Sequence, residues 1–153
     1  VTVRDFDLPT PAATDDFGRR LGSVLFPGSV VGLTGDLGAG KTFLCRAICA
    51  GLGVRHLAAV NSPTFVLIQE YRGRLPVFHF DTYRLTSARE FAELGADEYL
   101  AGDGVCLIEW ADRVGEFLPA ERLTLALAHT GPEARMLTAT AAGERYAAEL
   151  AAL

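Results

Sequence analysis

Gly35-Asp36-Leu37-Gly38-Ala39-Gly40-Lys41-Thr42 decides how the rest of this chain is read. It fits the pattern G-x-x-x-x-G-K-[ST] in full. Its lysine is unusual in the chain: the fourteen basic residues are thirteen arginines and Lys41 alone. Where only positive charge is needed this sequence uses arginine, so the single lysine marks a place where a compact ammonium is required. Before the motif, Val30-Val31-Gly32-Leu33 reads as a short buried strand. After it, Phe43, Leu44, Ala47, Ile48 and Leu52 recur at helical spacing, with Gly51 or Gly53 as the stop. Strand, glycine loop and helix together make a phosphate cradle. The glycines let backbone N–H groups curl around an anion, and the helix N-terminus adds partial positive charge. The expected ligand is ATP with Mg²⁺, bound by residues Gly35, Asp36, Leu37, Gly38, Ala39, Gly40, Lys41 and Thr42. Lys41 then reaches the β and γ phosphates, and the Thr42 hydroxyl ligates the metal.

Such a loop needs an acid at the end of a neighbouring strand. Val105-Cys106-Leu107-Ile108-Glu109 has four apolar residues followed by a carboxylate, and Val77-Phe78-His79-Phe80-Asp81 has nearly the same form. Glu109 is expected to join Thr42 as metal ligand, and Asp81 to orient the attacking water or complete the metal's shell. Asn61-Ser62-Pro63-Thr64-Phe65 is held extended by its proline, and reads either as a switch-like loop that senses the γ-phosphate or as an ordinary turn before a strand. His79 reads as a packed or hydrogen-bonded residue, Trp110 as core filling in preference to packing near the nucleotide, and Arg84 as a solvated charge.

Outward from the motif, the pattern predicts an edge strand over Thr2 to Leu8 and a helix from Pro11 to Leu25. A hairpin follows, Thr64 to Arg72 and Leu75 to Tyr83, turning at Arg72-Gly73-Arg74. Short helices over Ala88 to Leu94 and Ala96 to Leu100 lead to the strand Val105 to Trp110. A short helix ending at Pro119, strands over Leu123 to His129 and Arg135 to Ala141, and a helix from Gly143 to Leu153 complete the order. The prediction is one α/β domain spanning residues 1–153, a P-loop NTPase with a central, mostly parallel sheet flanked by helices.

Composition bounds the rest. The chain has 153 residues, half of them hydrophobic, and a net charge of −5. No apolar run reaches the roughly 20 residues of a membrane helix, and residues 1–8 interleave charges in a way no signal peptide does. A cytoplasmic protein without membrane contact is expected. The acidic balance and the lack of a basic run argue against direct grip on RNA or stable DNA binding. The three cysteines, Cys45, Cys49 and Cys106, read as buried free thiols, since their spacing supplies no third and fourth metal ligand.

Four blocks carry a resemblance that the motif alone does not. They are the loop at 35–42, Ser62-Pro63-Thr64-Phe65, His79-Phe80-Asp81-Thr82-Tyr83-Arg84-Leu85 and Ile108-Glu109-Trp110. In order and spacing the chain resembles the TsaE family, also called YjeE, small bacterial ATPases needed for threonylcarbamoyladenosine in ANN-decoding tRNAs. The resemblance implies that ATP hydrolysis supports turnover of a TsaB–TsaD complex, with tRNA met only through those partners. It also implies that Lys41 and Thr42 hold phosphate and metal, Glu109 joins the metal, Asp81 supports hydrolysis and Thr64 is the switch-like residue. Nucleotide contacts are implied around Thr10 to Thr14 and near Pro132 to Arg135, with Arg135 among the ATP-binding residues.

Three other readings compete. A regulatory GTPase needs N/T-K-x-D to recognise guanine, and Lys41 is the only lysine. A small-molecule P-loop kinase fits the size and has Arg84 and Arg89 for a lid. An ATP-gated binding module would use the nucleotide to set partner affinity, with hydrolysis incidental.

Overall fold

The computed structural model describes residues 1–61 and 67–153. Its elements run β1 (Thr2–Leu8), α1 (Pro11–Val24), β2 (Val30–Gly35), α2 (Lys41–Gly51), β3 (Ile68–Arg72), β4 (Pro76–Asp81), α3 (Ala88–Glu93), α4 (Ala96–Leu100), β5 (Val105–Glu109), β6 (Arg122–His129), β7 (Arg135–Ala142) and α5 (Glu144–Ala151). A 3₁₀ segment, Ala111–Phe117, stands where a short helix was expected.

The sheet has seven strands in the order β1-β7-β6-β2-β5-β4-β3. Its centre is parallel, β6 with β2, β2 with β5 and β5 with β4. Both flanks are antiparallel, through β7 and β1 on one side and the β3–β4 hairpin on the other. Strands β2 and β5, at the centre, are apolar up to their carboxyl ends, at Leu33 and Ile108, because helices cover both faces. One face packs under α1 and α2, where Phe17, Leu21, Leu44, Ile48, Leu107 and Leu125 are fully buried. On the other face lie Phe80, Phe91 and Ile108, beneath α3, α4 and the 3₁₀ segment. Each such side chain contributes about 1.5–3 kcal/mol on burial.

Local chemistry sets the helix that walls the site. Thr10 Oγ1 accepts from the Ala13 N–H at 3.1 Å and Pro11 occupies the first turn, a standard start for α1. The helix then approaches α2 so closely that only glycine fits. A Cβ on Gly22 would stand 2.2 Å from the Ile48 carbonyl oxygen, and one on Gly51 2.2 Å from that of Arg19. The hairpin turn is fastened to the far ends of the same two helices. Arg74 donates to the Gly22 and Leu25 carbonyls at 2.7 and 2.6 Å, and its backbone N–H donates to the Leu52 carbonyl at 2.8 Å.

Differences from the sequence reading are local. The first hairpin strand is described from Ile68, and Thr64 lies outside the described residues. Strand β5 stops at Glu109, one residue earlier than expected, because Trp110 takes a left-handed backbone with φ 60°. That turn is pinned by Thr82, whose hydroxyl donates to the Glu109 and Trp110 carbonyls at 3.0 and 2.7 Å. Among the described residues, no helix is long and apolar enough to cross a membrane.

Candidate functional site

The parallel register gathers the site at one end of the sheet. Asp81 lies directly opposite Glu109 on neighbouring parallel strands, and Leu33, just before the loop, is also in register with Glu109. Ligands of open α/β sheets bind at these carboxyl ends. From β2 the chain passes through the loop, with Gly38 and Gly40 at φ 80° and 101°, into α2, whose N-cap Gly40 offers no side-chain acceptor to the first helical N–H groups. Those donors face the cleft as an anion site.

Lys41 is buried at 5 % exposure. Its Nζ donates to the Gly35 and Asp36 carbonyls at 2.7 and 2.9 Å and lies 3.9 Å from the centre of the Trp110 ring. Burial lowers its pKa from the ordinary lysine value, while Glu109, Asp112, Asp36 and Asp81 pull in the opposite direction. The ammonium is thus folded onto its own loop, in place for an anionic ligand.

Thr42 and Glu109 meet directly: Thr42 Oγ1 donates to Glu109 Oε1 at 2.8 Å. A hydroxyl and a carboxylate, both oxygen donors, side by side at the start of a phosphate loop, fit Mg²⁺. Glu109 is 2 % exposed, and its other oxygen, Oε2, lies 2.5 Å from His79 Nε2. Asp81 is also buried, and its Oδ1 accepts from the Tyr83 N–H at 2.9 Å. Together Lys41, Thr42, Asp81, Glu109, Arg84 and Trp110 line a cleft of about 380 Å³. A second hollow, of about 190 Å³, adjoins it across Gly40 and Phe43 and is walled by Pro11, Thr14, Pro132, Glu133 and Arg135. Arg135 fastens that wall to the loop, donating from Nε to the Ala39 carbonyl at 2.8 Å and from Nη1 to the Ala134 carbonyl at 2.9 Å.

The structure therefore brings Lys41, Thr42, Asp81 and Glu109 together and places Arg135 against the same loop. Trp110 differs from its expected place in the core: its left-handed backbone turns the ring out of the strand's alternation, over Lys41 and against Tyr83 at 4.8 Å between ring centres. Arg84, expected to be only a solvated charge, borders the cleft. The fold also supplies what cysteine spacing does not show. Cys45 Sγ, His79 and Glu109 have ligand atoms within 4.8 Å of one another, all buried. Burial, and next the Glu109 carboxylate, push the Cys45 thiol well above the usual range, so it forms a neutral wall there. The closest polar contact in this trio is between His79 and Glu109. Only the i, i+2 step from His79 to Asp81 hinted that the histidine shares the site's face.

Comparison with known proteins gives the family. The family profile described as threonylcarbamoyl adenosine biosynthesis protein TsaE matches residues 8–137. A Bacillus subtilis protein named tRNA threonylcarbamoyladenosine biosynthesis protein TsaE is 44% identical over 137 residues, covering 89% of this chain and 84% of the relative. Its Streptomyces coelicolor namesake is 41% identical over 140 residues, covering 86% and 93%. The crystal structure of Bacillus subtilis YdiB superposes with a TM-score of 0.85 at 37% identity, covering 99% of this chain and 94% of the other. By the family profile, by identity over most of its length and by its fold, this chain belongs to the TsaE family of threonylcarbamoyl adenosine biosynthesis proteins.

Proposed function

We propose that this chain is an ATP hydrolase that works with Mg²⁺ and supports formation of threonylcarbamoyladenosine in tRNA by a TsaB–TsaD complex. Membership of the TsaE family gives the role in tRNA threonylcarbamoyladenosine biosynthesis. The observation that carries the chemistry is the Thr42–Glu109 contact beside Lys41, a metal-type oxygen pair next to a buried cation at a helix N-terminus. Thr42 and Glu109 would hold Mg²⁺, which when bound neutralises charge on the transferred phosphoryl group. Lys41 and the loop N–H groups bind the β and γ phosphates. Asp81, held by the Tyr83 N–H, orients the attacking water. The hollow beside Phe43 and Arg135 accommodates the nucleoside end, next to the phosphates. An acidic protein of this kind meets tRNA through its partners, in the cytoplasm.

Turnover of ATP by the purified chain, alone and with TsaB–TsaD, tests this reading. Faster hydrolysis with the partners is expected. Failure to bind ATP overturns it. Binding without stimulation or complex formation moves the reading to a small-molecule kinase, which the position of Arg84 on the cleft favours as second choice. Nucleotide-dependent partner binding without measurable turnover identifies the ATP-gated module.

A further inference from the structure

Both oxygens of the Glu109 carboxylate meet a side-chain partner. Oε1 accepts from Thr42 at 2.8 Å, and Oε2 lies 2.5 Å from His79 Nε2. The imidazole is fully buried, at 0 % exposure, and is held at both nitrogens. Its Nδ1 lies 3.0 Å from Tyr71 Oη, which donates to the Gln69 side-chain carbonyl at 2.6 Å. The Tyr71 and His79 rings also pack with centres 5.8 Å apart. A continuous file of side chains therefore runs from Gln69 and Tyr71 on β3, through His79 on β4, to Glu109 on β5 and Thr42 on α2.

The sheet register makes this file possible. His79 stands opposite Leu107, so Glu109, two residues on, is its diagonal neighbour on the same face. Tyr71 stands opposite Val77, two residues before His79, and reaches it along the same diagonal. Burying a histidine and a carboxylate is costly unless both are satisfied, and here each satisfies the other. A ring fixed at Nδ1 by Tyr71 cannot turn away from Oε2. Oε2 in turn fixes the carboxylate's rotation, which leaves Oε1 directed at Thr42 and the cleft.

We infer that His79, braced by Tyr71, is a positioning residue that holds the Glu109 carboxylate ready for the divalent cation of the bound nucleotide. The inference rests on the proposed function, since it concerns the same carboxylate. It differs from a mere core contact in what it predicts. A packing role changes stability and every binding step together, whereas a positioning role changes the cation's affinity and leaves metal-free nucleotide binding alone.

Trp110 makes the distinction measurable without turnover. It is the only tryptophan, and its ring lies over Lys41 at the cleft, so its fluorescence reports ligand arrival. The experiment titrates ADP in EDTA, and then Mg²⁺ onto the protein–ADP complex, in the parent and in His79→Ala, His79→Gln and Tyr71→Phe. Expected are unchanged ADP affinity in EDTA and a Mg²⁺ affinity about 10-fold weaker in His79→Ala. Tyr71→Phe, which keeps the ring and removes only the hydroxyl, shows a smaller loss. His79→Gln, whose amide can still donate to Oε2, recovers part of the affinity. Unchanged Mg²⁺ affinity in a folded His79→Ala overturns the inference, as does an equal loss of ADP affinity in EDTA. If His79→Ala does not fold, Tyr71→Phe decides, and parent-like Mg²⁺ affinity there overturns it. A parent protein that binds no ADP at all overturns the proposed function and this inference with it.

Discussion

The Thr42 hydroxyl donates to the Glu109 carboxylate across 2.8 Å, joining two residues 67 positions apart in the chain. The contact places the loop's hydroxyl and the strand's acid on one point of the cleft. If both serve one Mg²⁺, their removals are not independent. Thr42→Ala and Glu109→Ala are each expected to weaken Mg²⁺ binding to the nucleotide complex, and the double variant less than the sum of the two. Isothermal titration across the four proteins measures this. Strict additivity would show that the two residues act at separate places.

Glu109 and Asp81 end neighbouring strands in register, yet their surroundings differ. Glu109 faces Thr42, whereas Asp81 is turned to the Tyr83 N–H. Glu109→Ala is therefore expected to raise the Mg²⁺ needed for half-maximal ATPase by about 10-fold or more, and Asp81→Ala to lower the rate with a smaller change in that concentration. The reverse order in a magnesium titration would exchange their roles.

Lys41 is a desolvated cation resting on two backbone carbonyls. Its replacement by alanine is expected to cost turnover about 10²–10³-fold, the scale for losing one electrostatic stabiliser of a transition state. Folding stability is expected to change by no more than about 3 kcal/mol, the scale of a hydrogen bond to a charged group. Hydrolysis assays and urea unfolding check the two halves separately. Parent-like ATP affinity and hydrolysis in this variant would defeat the phosphate-loop reading.

Glycine to alanine inside a helix usually stabilises by about 1 kcal/mol. At Gly22 the sign reverses, because the added methyl would meet the Ile48 carbonyl oxygen at 2.2 Å. Gly22→Ala is expected to cost about 1–3 kcal/mol through forced separation of α1 and α2. Urea denaturation would show it as a lower midpoint at unchanged slope. A stabilised variant would mean that the helices part without penalty.

Burial pushes the Cys49 and Cys106 thiols up to about 12 and raises Cys45 as well. Protons leave these thiols more easily in the unfolded chain, where the ordinary value is 9.0. The stability they contribute is complete below about pH 9 and is lost as pH rises from there towards 12. A series of urea midpoints from pH 7 to 11 is expected to fall above 9, less steeply in a folded variant with Cys49 and Cys106 replaced by alanine. An identical slope in that variant would assign the loss to other groups.

Much of this protein was legible because its signals are local. The loop at 35–42, the helix start at Thr10-Pro11 and the acid-ended strands carry their reasons within a few residues. The β3–β4 hairpin was legible from its turn, but the antiparallel flank of β7 and β1 was less so, since the alternation in β7 says which face is buried but not which strand is its neighbour. Trp110 was expected in the core, and the pattern around His79 predicts a packed or hydrogen-bonded residue without naming its partner. Trp110 leaves the strand through a positive φ fixed by Thr82, and His79 meets Glu109 only through a register between strands 30 residues apart. Both depend on long-range pairing that periodicity does not encode.

The glycine seam between α1 and α2 bears on how the protein can deform. Where helices touch through side chains, small slips are absorbed by rotamer changes. Here backbone lies against backbone at Gly22 and Gly51, so that compliance is missing. The two helices behave as one strut, with Pro11 and Thr14 at one end keeping a constant distance from the loop that opens α2. Through Arg74 the strut also grips the turn of the β3–β4 hairpin, so the wall of the hollow and the strand pair that carries Tyr71 and His79 form one stiff frame around the loop.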